Sequence, residues 1–414
     1  MRETFGEALR RIRGSRSLRD LAALASCGKS YISDLENGRR HPAPQMARAL
    51  DDALGACGEL VALADSRPGE NVLQQTDRLQ AGLHDLLAAG PLVDSSLDEV
   101  EWTVVRHGRA TRYRPEVQHL PELLADFQDL RVLLGHRQTA PARRRLLVAA
   151  ARMSGLTALT FLKTGDERAM SWWRTARKAA AAADDRATLS WAYAQQAYQA
   201  YYSGDLHGAV EMADRAQQLA SGMPCVGPPL AAPLEARAHA RLGNREATMR
   251  ALAAAETALE RLPDDDQIGS AFGYSESQLR FHAGDALTHL GETARAREEL
   301  ARAADLYPAS EQPDRSLVAL DTAMCAALDG DPAAAADQAA RTILGLEPDH
   351  RTALVLYRAR DVITKVPPGA REVHEVRALR EILALPPTKT ERRRGDQHGD
   401  GDRRRGHLCD PRGN

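Results

Sequence analysis

Residues 18–42 read LRDLAALASCGKSYISDLENGRRHP. Leu18, Leu21, Ala22 and Ala25 recur at helical spacing, and Ser17 is of the residue type that caps a helix N-terminus. Ser26-Cys27-Gly28 breaks the pattern. A second short helix starts at Lys29, with Ile32 and Leu35 turned to a core, and Gly38 supplies a left-handed stop. Arg39, Arg40, His41 and Pro42 form a basic loop. Upstream, Phe5, Leu9 and Ile12 occupy one face of a helix. Downstream, Met46, Leu50 and Leu54, then Leu60 and Leu63, mark two more.

Two short helices joined by a three-residue turn, inside a five-helix unit, read as a helix-turn-helix. Residues 1–48 carry ten basic and five acidic side chains, whereas the 414-residue chain has a formal net charge of −2. The positive footprint is therefore local, as expected of one nucleic-acid-binding domain in a larger protein. On a helix entering the major groove, the N-terminal residues and the next exposed turn meet base edges. Those are Lys29, Ser30, Ser33 and Asp34. Lys29 is suited to guanine O6 or N7, and Asp34 to a cytosine amine. Asn37, Arg39 and Arg40 follow, placed for phosphates.

The rest of the chain is built differently. Residues 70–385 read as helix after helix, with almost no strand alternation. A glycine followed by a small polar or acidic residue separates apolar helical runs at Gly165-Asp166, Gly204-Asp205, Gly243-Asn244, Gly291-Glu292 and Gly330-Asp331. The intervals are 39, 39, 48 and 39 residues. A fixed period in this range signals a helical solenoid, whose units must stack to bury their apolar faces. The long interval contains Pro263-Asp264-Asp265-Asp266, read as an inserted loop. Residues 95–140 read as one more, degenerate helix pair, with Trp102 to Arg106 on one helix and Leu120 to Leu134 on the next.

These features predict an all-α chain: a five-helix helix-turn-helix domain over 1–65, a linker and degenerate helix pair over 66–140, helical repeats over 141–385, and a tail over 386–414. The tail, with its arginine runs at 392–394 and 403–405, has too little apolar content to fold and is predicted to be disordered.

Several chemistries find no support. Gly28-Lys29-Ser30 resembles the end of a P-loop, but Ala23 stands where the first glycine is needed. His374-Glu375 lacks the second histidine of a zinc-binding H-E-x-x-H. The five cysteines are scattered, with no C-x-x-C, which fits reduced thiols in a cytoplasm. No apolar run approaches the roughly 18 residues of a membrane span. No metal, cofactor or catalytic group is predicted, and the chain is not expected to be an enzyme.

The string at 18–42 resembles the Cro/C1-type, or XRE, family of DNA-binding domains. The matching positions are Leu21, Ala22, Ile32, Ser33, Glu36, Gly38, Arg39 and Pro42, and the resemblance covers about residues 4–64. It departs at the turn, where Ser26 replaces glycine and Gly28 replaces the serine cap, and at Leu18, which replaces a phosphate-binding glutamine. The repeats resemble tetratricopeptide repeats (TPRs). Residues 278–308 supply Gly284, Gly291, Ala296, Ala303 and Pro308, and residues 191–221 supply Ala197, Gly204, Ala209 and Ala216. The stretch from Ala271 through Phe281, with Gly284 to Leu287 after it, looks like a segment of actinobacterial XRE–TPR regulators.

Carried onto this sequence, the TPR pattern implies a concave groove lined by Trp191, Tyr198, Tyr201, Tyr202, Arg237, Arg241, Gln278, Phe281, Asp285 and His289. Such a groove suits a peptide or small-molecule effector; the alternative is that these aromatics fill the helix-pair core. The resemblance implies a homodimeric transcriptional regulator that binds double-stranded DNA and has no membrane partner. The alternative function is a TPR interaction scaffold whose N-terminal unit docks a protein instead of reading DNA.

Overall fold

The computed structural model describes residues 3–65, apart from Ser26, His41 and Cys57, and residues 92–384. The chain divides into two compact units between residues 87 and 88. Every described residue in regular structure is helical, as the sequence predicts. The tail over 386–414, the linker up to residue 91, Cys57 and Cys409 lie outside the described residues.

The first unit holds α1 (Phe5–Arg13), α2 (Leu18–Leu24), α3 (Lys29–Glu36), α4 (Pro44–Leu54) and α5 (Glu59–Asp65). Its ends follow local chemistry. The Thr4 hydroxyl accepts from Glu7 N–H while the Glu7 carboxylate accepts from Thr4 N–H, a capping box on α1. Ser17 accepts from Asp20 N–H at the start of α2. Gly38, at φ 66°, stops the chain after α3. Leu9, Leu21, Ile32, Leu50 and Leu60 form the fully buried core. Helix α1 passes so close to the end of α3 that a Cβ on Gly6 would lie 2.5 Å from the Leu35 carbonyl oxygen. Only glycine fits there without moving α3.

The second unit is a stack of helix pairs. In order these are α6 (Asp94–Ala110) with α7 (Glu116–Gly135), α8 (Ala140–Thr164) with α9 (Arg168–Ala182), α10 (Arg186–Tyr202) with α11 (Leu206–Leu219), and α12 (Gly227–Arg241) with α13 (Arg245–Glu260). Then come α14 (Glu276–His289) with α15 (Thr293–Leu306), α16 (Gln312–Leu328) with α17 (Pro332–Gly345), and α18 (Ala353–Lys365) with α19 (His374–Ala384). All five periodic glycines sit at the turns within pairs, at φ between 73° and 89°, a conformation that costs other residues energy. The 48-residue interval contains the connection from α13 to α14, which includes a 3₁₀ turn at Asp264–Asp266.

Small residues set the spacing within pairs. Ala197, Ala209, Ala216, Ala296 and Ala303 are fully buried. A Cβ on Gly284 would lie 2.6 Å from Leu300 Cγ, which lets α14 and α15 close on each other. Helix α8 meets the length and hydropathy of a membrane span, against the sequence reading that no apolar run approaches that length. Its most apolar window is 78% buried inside the unit, so its apolar character serves the core.

The stack curls until its ends meet. Helix α18 packs against α8, and the Cβ position of Gly165 lies 3.2 Å from Ala353 Cβ. Arg112, after α6, pairs with Glu311 at 2.7 Å and Asp314 at 3.3 Å beside α16. Ala271 N–H donates to the Gly108 carbonyl at 2.9 Å. The inner surface is therefore narrowed to a partly open cavity.

Candidate nucleic-acid interface and interior cavity

In the first unit, Gly28 is the N-cap of α3 and provides no side-chain cap. Lys29 and Ser30, the first two residues of the helix, are exposed, and Ser33 and Asp34 one turn on are half-buried. Ile32 and Leu35 point into the core. The four residues expected to meet bases thus share the helix's outer side. Arg39 and Arg40 are exposed in the loop beyond. Arg40 lies 3.6 Å from the Asp34 carboxylate and over the Tyr31 ring, 5.8 Å from its centroid. Asp34 is therefore already paired, and a base amine must compete with Arg40 for it.

Asn37 has a different setting from the one the sequence implies. Its side-chain amide donates to the Ser33 carbonyl at 2.7 Å, and its oxygen accepts from Arg10 at 3.2 Å. Arg10 also donates to the Glu36 carbonyl at 3.0 Å. Asn37 is thus engaged in fastening the end of α3 to α1. Glu36, noted in the sequence only as a motif position, is the other fastener. Its carboxylate is almost fully buried and accepts from Arg13 at 2.6 Å. Nothing local in the sequence marks this pair, because its partners are 23 residues apart.

In the second unit, the groove residues separate into two sets. Tyr198, Tyr202, Arg237, Gln278 and Phe281 line an interior cavity of about 130 Å³. The other five stand behind its wall. Trp191 is buried between Trp173 and Phe272 and donates to the Ala271 carbonyl at 2.7 Å. Tyr201 is fully buried. Arg241 donates to the Tyr357 hydroxyl at 2.8 Å. Asp285 and His289 belong to a charged cluster. The curling of the stack narrows the expected groove to a partly open cavity.

The charged cluster is the principal feature the sequence reading missed. Arg237 Nε lies 2.8 Å from Asp285, both side chains having no exposure to solvent. Arg358, equally buried, pairs with the same carboxylate and lies 3.1 Å from Asp321. Burial alone would raise the Asp285 carboxyl, but Arg237 and Arg358 outweigh it and hold the group well below the ordinary carboxylate range. At Asp321 burial dominates and pushes the carboxyl well up. Burial, with Arg237 next, holds His282 well below the usual imidazole range. His282 is thus neutral, its Nδ1 2.8 Å from the Tyr274 hydroxyl.

A second buried cluster joins α6 to α7. His107 Nδ1 lies 2.9 Å from His119 Nε2, and His107 Nε2 lies 2.6 Å from Asp126. Burial, then the neighbouring His107, lowers His119 to about 4. Burial also lowers His107, against the opposing hydrogen bond it donates to Asp126. Among the described residues no group of three or more histidines, cysteines and acids is placed to hold a metal ion.

Residues 4–64 match the family model for a helix-turn-helix domain. The match spans the first unit and identifies it, at a coarse level, as the DNA-binding part of a regulator. No curated protein and no solved structure matches the chain.

Proposed function

We propose that the protein is a sequence-specific transcriptional regulator of the Cro/C1 type. Helix α3 reads operator bases through Lys29, Ser30, Ser33 and Asp34, and Arg39 and Arg40 engage phosphates. Asn37 positions α3 in this reading. The TPR-like second unit mediates homodimerisation, senses an effector, or both, and the protein acts in the cytoplasm without catalysing a reaction. The observation that carries the reading is the exposed polar side of α3 within a matched helix-turn-helix domain. A helix so placed fits the major groove, and a dimer would read two half-sites about a helical turn apart.

The test is selection from a randomised duplex library with the full-length chain, beside Lys29→Ala/Ser30→Ala. The expected result is one motif with two half-sites, lost in the variant. Recovery of no motif, or of the same motif with the variant, overturns the assignment. The first of these outcomes favours the interaction-scaffold reading.

A further inference from the structure

We infer that the interior cavity of the second unit is a binding site for a small organic carboxylate with an aromatic or short apolar body. The inference rests on the proposed reading of this unit as an effector sensor and narrows the effector to a chemical class.

Three observations lead there. The first is unsatisfied donors. Among the cavity-lining residues, Arg237 Nη1, Arg112 Nε and the Tyr307 hydroxyl are buried and make no hydrogen bond. Arg112 and Tyr307 lie close enough to interact with each other, which leaves Arg237 Nη1 as the clearest unpaired donor. Arg237 is fully buried and Tyr307 is 2% exposed. A buried donor left unpaired is costly, so a site with three such groups favours an occupant rich in acceptors. The rest of Arg237 is held in place: its other nitrogens face Asp285, and its guanidinium stacks 4.5 Å from the Tyr201 ring centroid. The free edge is thus fixed before anything binds, which lowers the cost of binding.

The second observation is the wall. Phe281, Tyr198, Tyr202, Leu230, Leu317 and Leu354 line the same space. These suit a ring or short chain and offer little to a bare phosphate. A mostly apolar pocket with a few convergent polar groups is the usual form of a small-molecule site.

The third is size. An apolar cavity of roughly 150 Å³ holds one benzene ring, so about 130 Å³ takes a single ring-sized body. An extended peptide is too large. Lys163, 3.1 Å from Glu116, and Arg112, paired with Glu311 and Asp314, also line the chamber. Arg237 differs from them in sharing its one carboxylate, Asp285, with Arg358, so it keeps a surplus of positive charge and an unpaired Nη1 for a carboxylate.

The test is titration calorimetry of the full chain, without DNA, against benzoate and phenylacetate. Benzamide, phenylacetamide and inorganic phosphate are the controls. The expected result is saturable, one-site binding of at least one carboxylate, at least tenfold tighter than its amide, with phosphate silent. Arg237→Gln should abolish the preference for carboxylate over amide. Because Arg237 also belongs to the buried cluster, Tyr307→Phe is the second variant. It deletes one unpartnered hydroxyl and should weaken the carboxylate by about three- to tenfold while leaving thermal unfolding unchanged.

Failure of both carboxylates to bind at 10 mM overturns the inference, as does equal binding of acid and amide. Tighter binding of phosphate than of either carboxylate also overturns it. With DNA absent, the outcome is separable from the regulator reading: carboxylate binding without a recovered operator would sink the regulator alone.

Discussion

Replacing Asp285 by Asn should destabilise the second unit severely and leave the first unit intact. Asp285 is the shared carboxylate of two guanidiniums, Arg237 and Arg358, and none of the three is exposed to solvent. The amide keeps the shape and removes the charge. Arg358 retains Asp321 at 3.1 Å and Asp361 at 3.6 Å. Burial is the main cause that raises the Asp321 carboxyl and Asp285 adds to it, so losing Asp285 makes ionisation of Asp321 beside Arg358 less costly. Arg237 has no such reserve, because its one ion pair is with Asp285. Removing one partner of a buried pair typically costs about 3–5 kcal/mol. For a unit of this size that lowers Tm by roughly 10 °C.

The assay is direct. The four tryptophans of the chain, Trp102, Trp172, Trp173 and Trp191, all lie in the second unit. Intrinsic fluorescence during urea or thermal unfolding therefore reports that unit alone. Added salt should not rescue Asp285→Asn, because screening acts on exposed charges. The double replacement Arg237→Met/Asp285→Leu should recover much of the loss, because an apolar pair of similar volume is often as stable as a buried ion pair. A loss below about 1 kcal/mol in the single variant, or a double variant no better than the single, would refute the argument.

Acidification should weaken the second unit between about pH 6.5 and pH 4. His119 titrates near 4 in the folded chain and near the ordinary histidine value when unfolded, so in that window the unfolded state holds the extra proton and stability falls as pH falls. The loss approaches about 3 kcal/mol. His119→Phe should reduce the slope in urea titrations at pH 7 and pH 5, with His107 and His282, lowered in the same direction, accounting for the remainder; an unchanged slope would show that His119 is not responsible. In the first unit, Gly6→Val should cost roughly 2 kcal/mol or more, since its Cβ would meet the Leu35 carbonyl at 2.5 Å. Circular dichroism of the unfolding transition checks this, and an unchanged midpoint counts against the close approach. DNA affinity should fall steeply with salt; a flat log–log plot would exclude phosphate contacts by Arg39 and Arg40.

What could be read from the sequence was local. The Ser17 cap, the Gly38 stop, the core positions Ile32 and Leu35, and the five turn glycines depend on neighbours within a few residues, and each stands where expected. The bond from Arg10 to the Asn37 amide oxygen, 27 residues away, lay beyond such a reading. That only half of the groove residues line the cavity has a larger reason. Periodicity gives the repeat, but the curvature of the stack depends on small differences in how successive pairs seat. Curvature decides whether Tyr201 and Asp285 face solvent or each other. Arg358 carried no signal: it lies beyond the last periodic glycine, and its bond to Asp285 spans 73 residues.

The meeting of α8 with α18 has an evolutionary consequence. An open array can gain or lose a repeat at small cost, since each unit answers only to its neighbours. Here the second pair answers to the last through α8 and α18, and the first to the sixth through Arg112 and Glu311. Inserting or deleting one pair would misalign Gly165 with Ala353 and Arg112 with Glu311 together. The repeat count is thus a fixed property of this molecule, and divergence is confined to side chains and turns, with the α13–α14 connection as the place where length has already been added.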